Sequence, residues 1–157
     1  MLRGLLVVLI AGTLAACATV PPATSGVNYQ TFRYSCCQGG ETQNAWHPGE
    51  RYTLQWTAVP SGTTSVAAAR PIVLRTRLTG PFATATDLKN TLASGASTGG
   101  TRSVDGIPLQ IDDRTESGVT SVIQLPADLP PGYYNLDLTT DFGGGNRAGG
   151  GAIIVVN

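Results

Sequence analysis

The sequence predicts an all-β fold, an antiparallel β-sandwich of about seven to nine strands. Short stretches alternate apolar and polar side chains with a period of two, which is typical of half-buried strands. Glycine- and proline-rich turn signals separate these stretches at intervals of roughly a dozen residues. Helical periodicity is nearly absent, and a chain of 157 residues has the length of one domain.

The N-terminal segment has the organisation of a signal peptide. Arg3 is followed by an apolar run, Gly4–Thr13, that is too short for the roughly 20 residues of a membrane-spanning helix. The next four residues, Leu14-Ala15-Ala16-Cys17, resemble the lipobox of bacterial lipoproteins. This resemblance implies that residues 1–16 are removed and that Cys17 is acylated, with palmitate among the expected chains. Plain secretion is the alternative.

Residues 17–26 are then a lipidated cysteine and a flexible tether, because this small, polar, proline-bearing segment cannot bury a core face. The expected location is extracytoplasmic, on the cell membrane or the outer membrane, with membrane lipid as the partner of Cys17. The lipobox resemblance gives Ala18 a sorting role: it is not the aspartate associated with inner-membrane retention, which favours the outer membrane where the host has one.

Charge excludes one class of partner. Charged residues make up 13% of the chain, and ten basic residues balance ten acidic ones. Loss of Arg3 with the leader leaves nine against ten. Nucleic-acid binding depends on positive charge that neutralises phosphates, so no nucleic-acid partner is expected.

The domain is predicted to span residues 27–157. Its clearest strand is Glu50–Val59, in which Tyr52, Leu54, Trp56 and Ala58 share one face. Further strands are predicted at Val27–Ser35, Pro71–Thr79, Ile107–Arg114, Val119–Pro126, Tyr134–Leu138 and Ala152–Val156. Loops are predicted at Pro60–Ser65 and at the Gly143–Gly151 hairpin. Gly80-Pro81 is expected to end a strand. The following stretch, Phe82–Ala93, is predicted to be a crossover between strands with one short helical turn.

Two motifs resemble immunoglobulin-like domains. A Pro48-Gly49 turn precedes the strand that contains Trp56, and Gly132-x-Tyr134-x-Leu136 is similar to the Gly-x-Tyr-x-Cys entry to a later strand. The resemblance implies that Trp56 is a core anchor and that Tyr134 is the tyrosine-corner residue, with its hydroxyl bonded to the upstream turn. Because Leu136 replaces cysteine, no inter-sheet disulfide is expected.

Cys36 and Cys37 are adjacent, and with Cys17 lipidated they are the only remaining cysteines. Three alternatives follow: a vicinal disulfide in a turn, two free thiols with one buried and one exposed, and an intermolecular link. The first is favoured, because the compartment is oxidising and no other cysteine is left in the chain. With His47, the only histidine, the pair forms a Cys2His set that suits zinc or copper(I). The spacing matches no metal motif, and a loop histidine is the alternative.

Two further groups of polar residues carry hypotheses. Arg75 and Arg77 share one strand face, where arginines bind anions or discourage edge pairing; the second role is favoured. Asp105, Asp112, Asp113 and Glu116 are expected to form a solvated acidic loop.

The predicted function is a membrane-anchored cell-envelope lipoprotein whose sandwich binds a partner or has a structural role. No cofactor and no catalysis are expected, because the single histidine has no recognisable nucleophile motif nearby. Loops Cys36–His47 and Gly143–Gly151 are the expected contact surfaces, and an exposed Tyr133 is a candidate partner anchor. The alternative is a metal-binding or redox-responsive envelope protein that uses Cys36, Cys37 and His47. The expected partner of the sandwich is an envelope protein or a ligand.

Overall fold

A computed structural model describes residues 26–37, 42–95 and 102–157. The leader, Cys17 and the tether up to residue 25 lie outside the described residues. The predicted β-sandwich is confirmed. The elements are β1 Tyr29–Cys36, β2 Arg51–Thr64, β3 Pro71–Phe82, α1 Ala85–Ser94, β4 Arg102–Asp105, β5 Leu109–Asp112, β6 Thr120–Gln124, β7 Gly132–Asp141 and β8 Arg147–Val156.

The strands form two antiparallel sheets. One has the order β1-β2-β6, and the other has the order β4-β3-β7-β8, with β5 also paired to β3. An immunoglobulin-type sandwich places strands A, B and E in one sheet and strands C, F and G in the other. If β1, β2 and β6 are equated with A, B and E, then β3, β7 and β8 take the places of C, F and G.

The core lies between the sheets and contains the two aromatic residues that the sequence singled out. Trp56 is buried, and its indole Nε1 donates to Ser121 Oγ at 2.9 Å. Tyr134 is fully buried, and its hydroxyl donates to the Pro130 carbonyl at 2.7 Å, which is the contact that the immunoglobulin resemblance implies. Burial raises the pKa of Tyr134 above its ordinary value.

Two strands run further than their turn signals predict. The expected loop Pro60–Ser65 instead continues β2 to Thr64, because Tyr29–Thr31 of β1 pairs with Gly62–Thr64. Likewise, Gly80-Pro81 does not end β3, which continues to Phe82. A register shift between Thr79 and Phe82 accommodates the proline within the pairing to β7. In both places, pairing with a neighbouring strand outweighs local turn chemistry.

Helix α1 is longer than the single turn that the sequence predicts. Both ends are capped: Thr84 Oγ1 accepts from the backbone N–H of Asp87, and Gly95 ends the helix with φ of 62°. Leu88 is fully buried, whereas Leu92 is 51% exposed, so only one of the two predicted leucines anchors the helix. Within the described ranges, no helix combines the length and apolarity that a membrane-spanning helix needs.

Strand β8 begins at Arg147 and not at Ala152 as predicted. The turn before it is tight, with positive φ at Gly143, Gly144 and Gly145. The next three glycines, Gly149–Gly151, belong to the strand and pair with Asp137–Thr139 of β7 without a register shift. The predicted hairpin is therefore confirmed only at its turn, and the second half of the glycine run is strand.

Candidate functional site

A cleft of about 390 Å³ opens between the two sheets, where the end of β1 faces the glycine segment of β8. We refer to it as the disulfide cleft. Its lining consists of aromatic, aliphatic, small, sulfur-bearing and hydroxyl side chains: Tyr34, Ser35, Cys36, Cys37, Thr42, Trp56, Leu138, Thr140, Ala148, Gly149, Gly150, Gly151 and Ala152. Among these described residues there is no carboxylate, histidine, lysine or arginine.

The cleft exists because the residues on the inward face of β8 between Arg147 and Ala152 have small side chains or none. Leu138 of β7 is buried and pairs with Gly150, so Gly150 shares the inward face. A methyl group built on Gly150 would meet nothing within 4 Å. Ala148, two residues before Gly150 on the same face, is also small. Ile154 is the first large side chain on this face of β8, and it fills the space between the sheets. The sequence between Arg147 and Ala152 thus creates the opening.

The opposite wall ends in the Cys36–Cys37 pair. The two sulfurs are joined in a vicinal disulfide across a cis peptide bond, so the first of the three alternatives for these cysteines is the one present in the structure. Both residues are half-buried and pack against the core beside Trp56. The disulfide therefore presents sulfur to the cleft as an uncharged, polarisable surface.

Tyr34 lines the cleft, but its hydroxyl bonds to backbone groups outside it. The hydroxyl donates to the carbonyls of Asp112 at 2.7 Å and Thr115 at 2.9 Å. Burial, followed by the nearby charges of Asp112 and Asp113, raises the pKa of Tyr34 to about 12. The ring consequently contributes an apolar face to the cleft and is neutral at physiological pH.

The structure does not bring Cys36, Cys37 and His47 together as a metal site. Both thiols are consumed by the disulfide, and the described part of the chain holds no group of three His, Cys, Asp or Glu residues able to bind a metal. His47 is an exposed loop residue whose backbone N–H donates to the Tyr52 hydroxyl at 2.6 Å. This placement corresponds to the loop-histidine alternative.

Tyr133 differs from its predicted exposure. It is half-buried on the outer face of β7, between its paired residues Phe82 and Val155. The alternation that buries Tyr134 does turn Tyr133 outwards, but paired neighbours on both sides cover part of its ring. It does not line the disulfide cleft.

The arginine and acidic hypotheses resolve into ion pairs. Two guanidinium nitrogens of Arg77, Nε and Nη2, donate to the two carboxylate oxygens of Asp105 at 2.6 and 3.3 Å. This ion pair agrees with a structural role on the sheet surface. Asp113 is not in a solvated loop as predicted, because only 3% of its side chain is exposed and it pairs with Arg70 at 2.9 Å. The expected acidic surface is thus partly buried.

Trp46 lies in the predicted loop Cys36–His47, and the sequence gives no indication of its role. It is nevertheless fully buried and stacks on Tyr52 with ring centroids 4.3 Å apart. Its backbone forms a parallel bridge to Val156 at the end of β8. Pairing of an isolated residue leaves no periodic signal in the sequence, and the only available signal was the size of the side chain itself.

The disulfide allows a direct test in which reduction should add two hydrogen atoms to the mass of the peptide that carries Cys36 and Cys37. Without reductant, neither residue should react with an alkylating agent. Reduction should lower the free energy of unfolding by only about 1 kcal/mol, because adjacent cysteines close the shortest possible loop. Mass spectrometry and urea unfolding measure both effects, with a Cys36→Ser/Cys37→Ser variant as the reduced-state control. Labelling without reductant, or a covalent dimer, would contradict the assignment.

The fold defines the chain as a two-sheet antiparallel β-sandwich domain with the strand order of immunoglobulin-type sandwiches. Residues 49–156 match the family described as the MalQ N-terminal beta sandwich domain. The match covers more than half of the chain, which therefore belongs to this family. No curated protein and no solved structure gave a match. The matched residues include β2 to β8, whereas β1 and the disulfide lie before them.

Proposed function

We propose that this chain is a lipid-anchored protein of the cell envelope whose β-sandwich is a non-catalytic binding domain. The observation that carries the anchor is the sequence Leu14-Ala15-Ala16-Cys17 directly after a short apolar run. Acylation of one residue by several chains holds a protein on a membrane, because each buried methylene contributes about 0.8 kcal/mol.

The disulfide cleft supports the binding role. Ligand sites are typically concave, mainly apolar, and supplied with a few polar groups that fix orientation. The cleft has this composition: Trp56, Leu138 and the disulfide supply apolar surface, and Thr140 supplies a hydroxyl. The family to which residues 49–156 belong is described as the N-terminal β-sandwich domain of MalQ, which agrees with the sandwich itself.

The anchor predicts that the mature protein starts at Cys17 and carries acyl chains. The chain should be expressed in a bacterial host and fractionated into membrane and soluble parts, with the intact mass measured. Nearly all of the protein should be in the membrane fraction, with a mass above that of residues 17–157 by the acyl groups. A Cys17→Ala variant should lose this added mass and the membrane association.

The matched control is Cys36→Ser, which removes a cysteine from the domain and should leave membrane association unchanged. A soluble protein with an unmodified Cys17, or a mature N-terminus elsewhere, would refute the anchor and favour plain secretion.

A further inference from the structure

The long free edge of β8 borders the disulfide cleft. Strand β8 pairs with β7 on one side. On its other side, among the described residues, it is met only by the single bridge from Trp46 to Val156. The edge of β8 from residue 147 to residue 153, which we call the β8 edge, has no strand partner in the described part of the chain.

The direction of the hydrogen-bonding groups along this edge follows from the bridge. The Val155 carbonyl accepts from Trp46 N at 2.8 Å, and Asn157 N donates to the Trp46 carbonyl at 2.9 Å. In an antiparallel ladder, the N–H and C=O of one residue point to the same side, and the side alternates along the strand. Because the β7–β8 register has no shift, Gly149, Gly151 and Ile153 also direct both groups away from β7.

Glycine makes this edge unusually accessible to another backbone. Glycine inside a strand marks a bulge, a bend or a site where a ligand or second backbone approaches closely. The unshifted register rules out a bulge in Gly149–Gly151. Edges are commonly protected by charges, prolines or bulges. Here, Arg147 at the start of the strand is the one such feature on the β8 edge.

We propose that the β8 edge binds an extended peptide segment of a partner protein, which adds as a strand and places one apolar side chain in the disulfide cleft. Donor and acceptor groups that recur every second residue, about 6.8 Å apart, match a peptide backbone. The Trp46 bridge shows that a chain segment pairs with this same strand at its far end.

The cleft supplies the specificity of this strand addition, because it selects the side chain that the added peptide places there. Side chains of an added strand alternate between the two faces of the sheet. Those on the inward face would share it with Ala148 and Gly150, and would therefore enter the space beside Trp56 and the disulfide. Trp56, Leu138 and the disulfide line the cleft and no charged side chain does, so the residue that it accepts is apolar. This inference depends on the proposed binding role but is independent of the lipid anchor.

The first test is amide hydrogen exchange on the detergent-solubilised full-length chain, read residue by residue. The amides of Gly149, Gly151 and Ile153 should exchange at the rate of exposed groups, while those of Gly150 and Ala152 are protected. Protection of the first set at every protein concentration would show that the chain fills its own edge. Protection that appears only at high concentration would show pairing with a second copy. Either result would overturn the proposal.

The second test selects peptides from a phage-displayed library of random heptapeptides against the same full-length protein. The selected peptides should share one apolar position flanked by strand-forming residues. Gly150→Leu, which fills the cleft, should weaken their binding at least tenfold, whereas Gly150→Ala should leave most of the affinity. Ile153→Pro, which removes one outward N–H from an edge position that tolerates proline, should weaken binding similarly, with Ile153→Val as its control.

Circular dichroism and urea unfolding should show that the binding-defective variants are folded. The Gly150 variants and the Ile153 variants are independent tests. If one binding-defective variant does not fold, the other still tests the site. Absence of enriched peptides, or peptides that bind both variants as well as the wild type, would refute the site. The status of Cys17 affects neither result, so failure here and failure of the anchor are separable.

Discussion

Replacement of Trp46 by alanine is expected to lower the free energy of unfolding by about 3–5 kcal/mol. The indole is fully buried and stacks on Tyr52 with an interplanar angle of 7°. Its removal leaves a cavity at the end of the sandwich where β8 finishes, and neighbouring strands cannot collapse fully into it. A loss of this size is a large fraction of the stability of a small domain.

The same substitution should loosen the end of β8. The bridge from Trp46 to Val155 and Asn157 uses backbone groups, which alanine retains, but the ring that holds the segment in place is lost. Tyr52 would also lose its stacking partner, although its hydroxyl still donates to Glu50 at 2.6 Å. Amides near Val155 should therefore exchange faster in the variant.

Urea unfolding followed by circular dichroism measures the effect, and Trp46→Phe is the matched control. Phenylalanine keeps an aromatic ring against Tyr52 and should recover more than half of the loss. A change below about 1 kcal/mol for alanine would show that this ring does not pack in the core as described. Equal losses for alanine and phenylalanine would show that stacking contributes nothing.

The sequence predicts the strands along which core-facing and polar residues alternate without interruption. Leu54 and Trp56 of β2 alternate with the polar residues Thr53, Gln55 and Thr57, and both are buried. Such alternation determines which face of a strand meets the core without reference to the partner strand. The tyrosine of the Gly132-x-Tyr134 motif was identifiable for a related reason, because its hydroxyl partner lies only four residues upstream.

The remaining features depend on partners that are distant in the sequence. Pro60–Thr64 is strand only because β1 lies beside it, and Gly149–Gly151 is strand only because β7 does. The disulfide cleft has its walls at opposite ends of the chain, Cys36 on one side and Gly150 on the other. Neither wall has a local sequence pattern that indicates a cavity. The space exists because a strand distant in the sequence has small residues where it faces the other wall.

Asp113 is the second position where a large loss of stability is expected, and the loss should depend on pH. Its carboxylate accepts from Arg70 twice, from the backbone N–H at 3.0 Å and from Nε at 2.9 Å. Its own backbone joins the same end of the sandwich, because Asp113 N donates to the Arg70 carbonyl and the Asp113 carbonyl accepts from Phe32 N. One residue thus connects β1, the start of β3 and the end of β5.

Burial alone would raise the pKa of Asp113, but the two bonds from Arg70, with the charges of Arg70 and Arg114, outweigh it and lower the pKa below its ordinary value. A carboxyl group with a lowered folded-state pKa stabilises the protein at pH values above its unfolded-state pKa, about 3.9. That contribution is lost as the pH falls from there through the folded-state pKa.

Asp113→Asn should therefore reduce the free energy of unfolding by about 1–3 kcal/mol at pH 7, because the buried site loses its charged acceptor. The difference from wild type should be constant above about pH 5 and shrink as the pH falls below about 4, because the unfolded wild-type chain then binds a proton that the folded carboxylate does not. Urea unfolding at a series of pH values from 7 to 3 measures both variants and the wild type.

Asp128→Asn is the matched control for this charge. Asp128 also pairs with an arginine, Arg102 at 3.1 Å, but 74% of its side chain is exposed, and exposed ion pairs contribute little to stability because solvent screens them. The control should therefore change stability less than Asp113→Asn at pH 7. If the Asp113→Asn deficit persisted undiminished at pH 3, it would come from packing and not from the charge. If the two variants had equal effects, burial of Asp113 would have no energetic consequence.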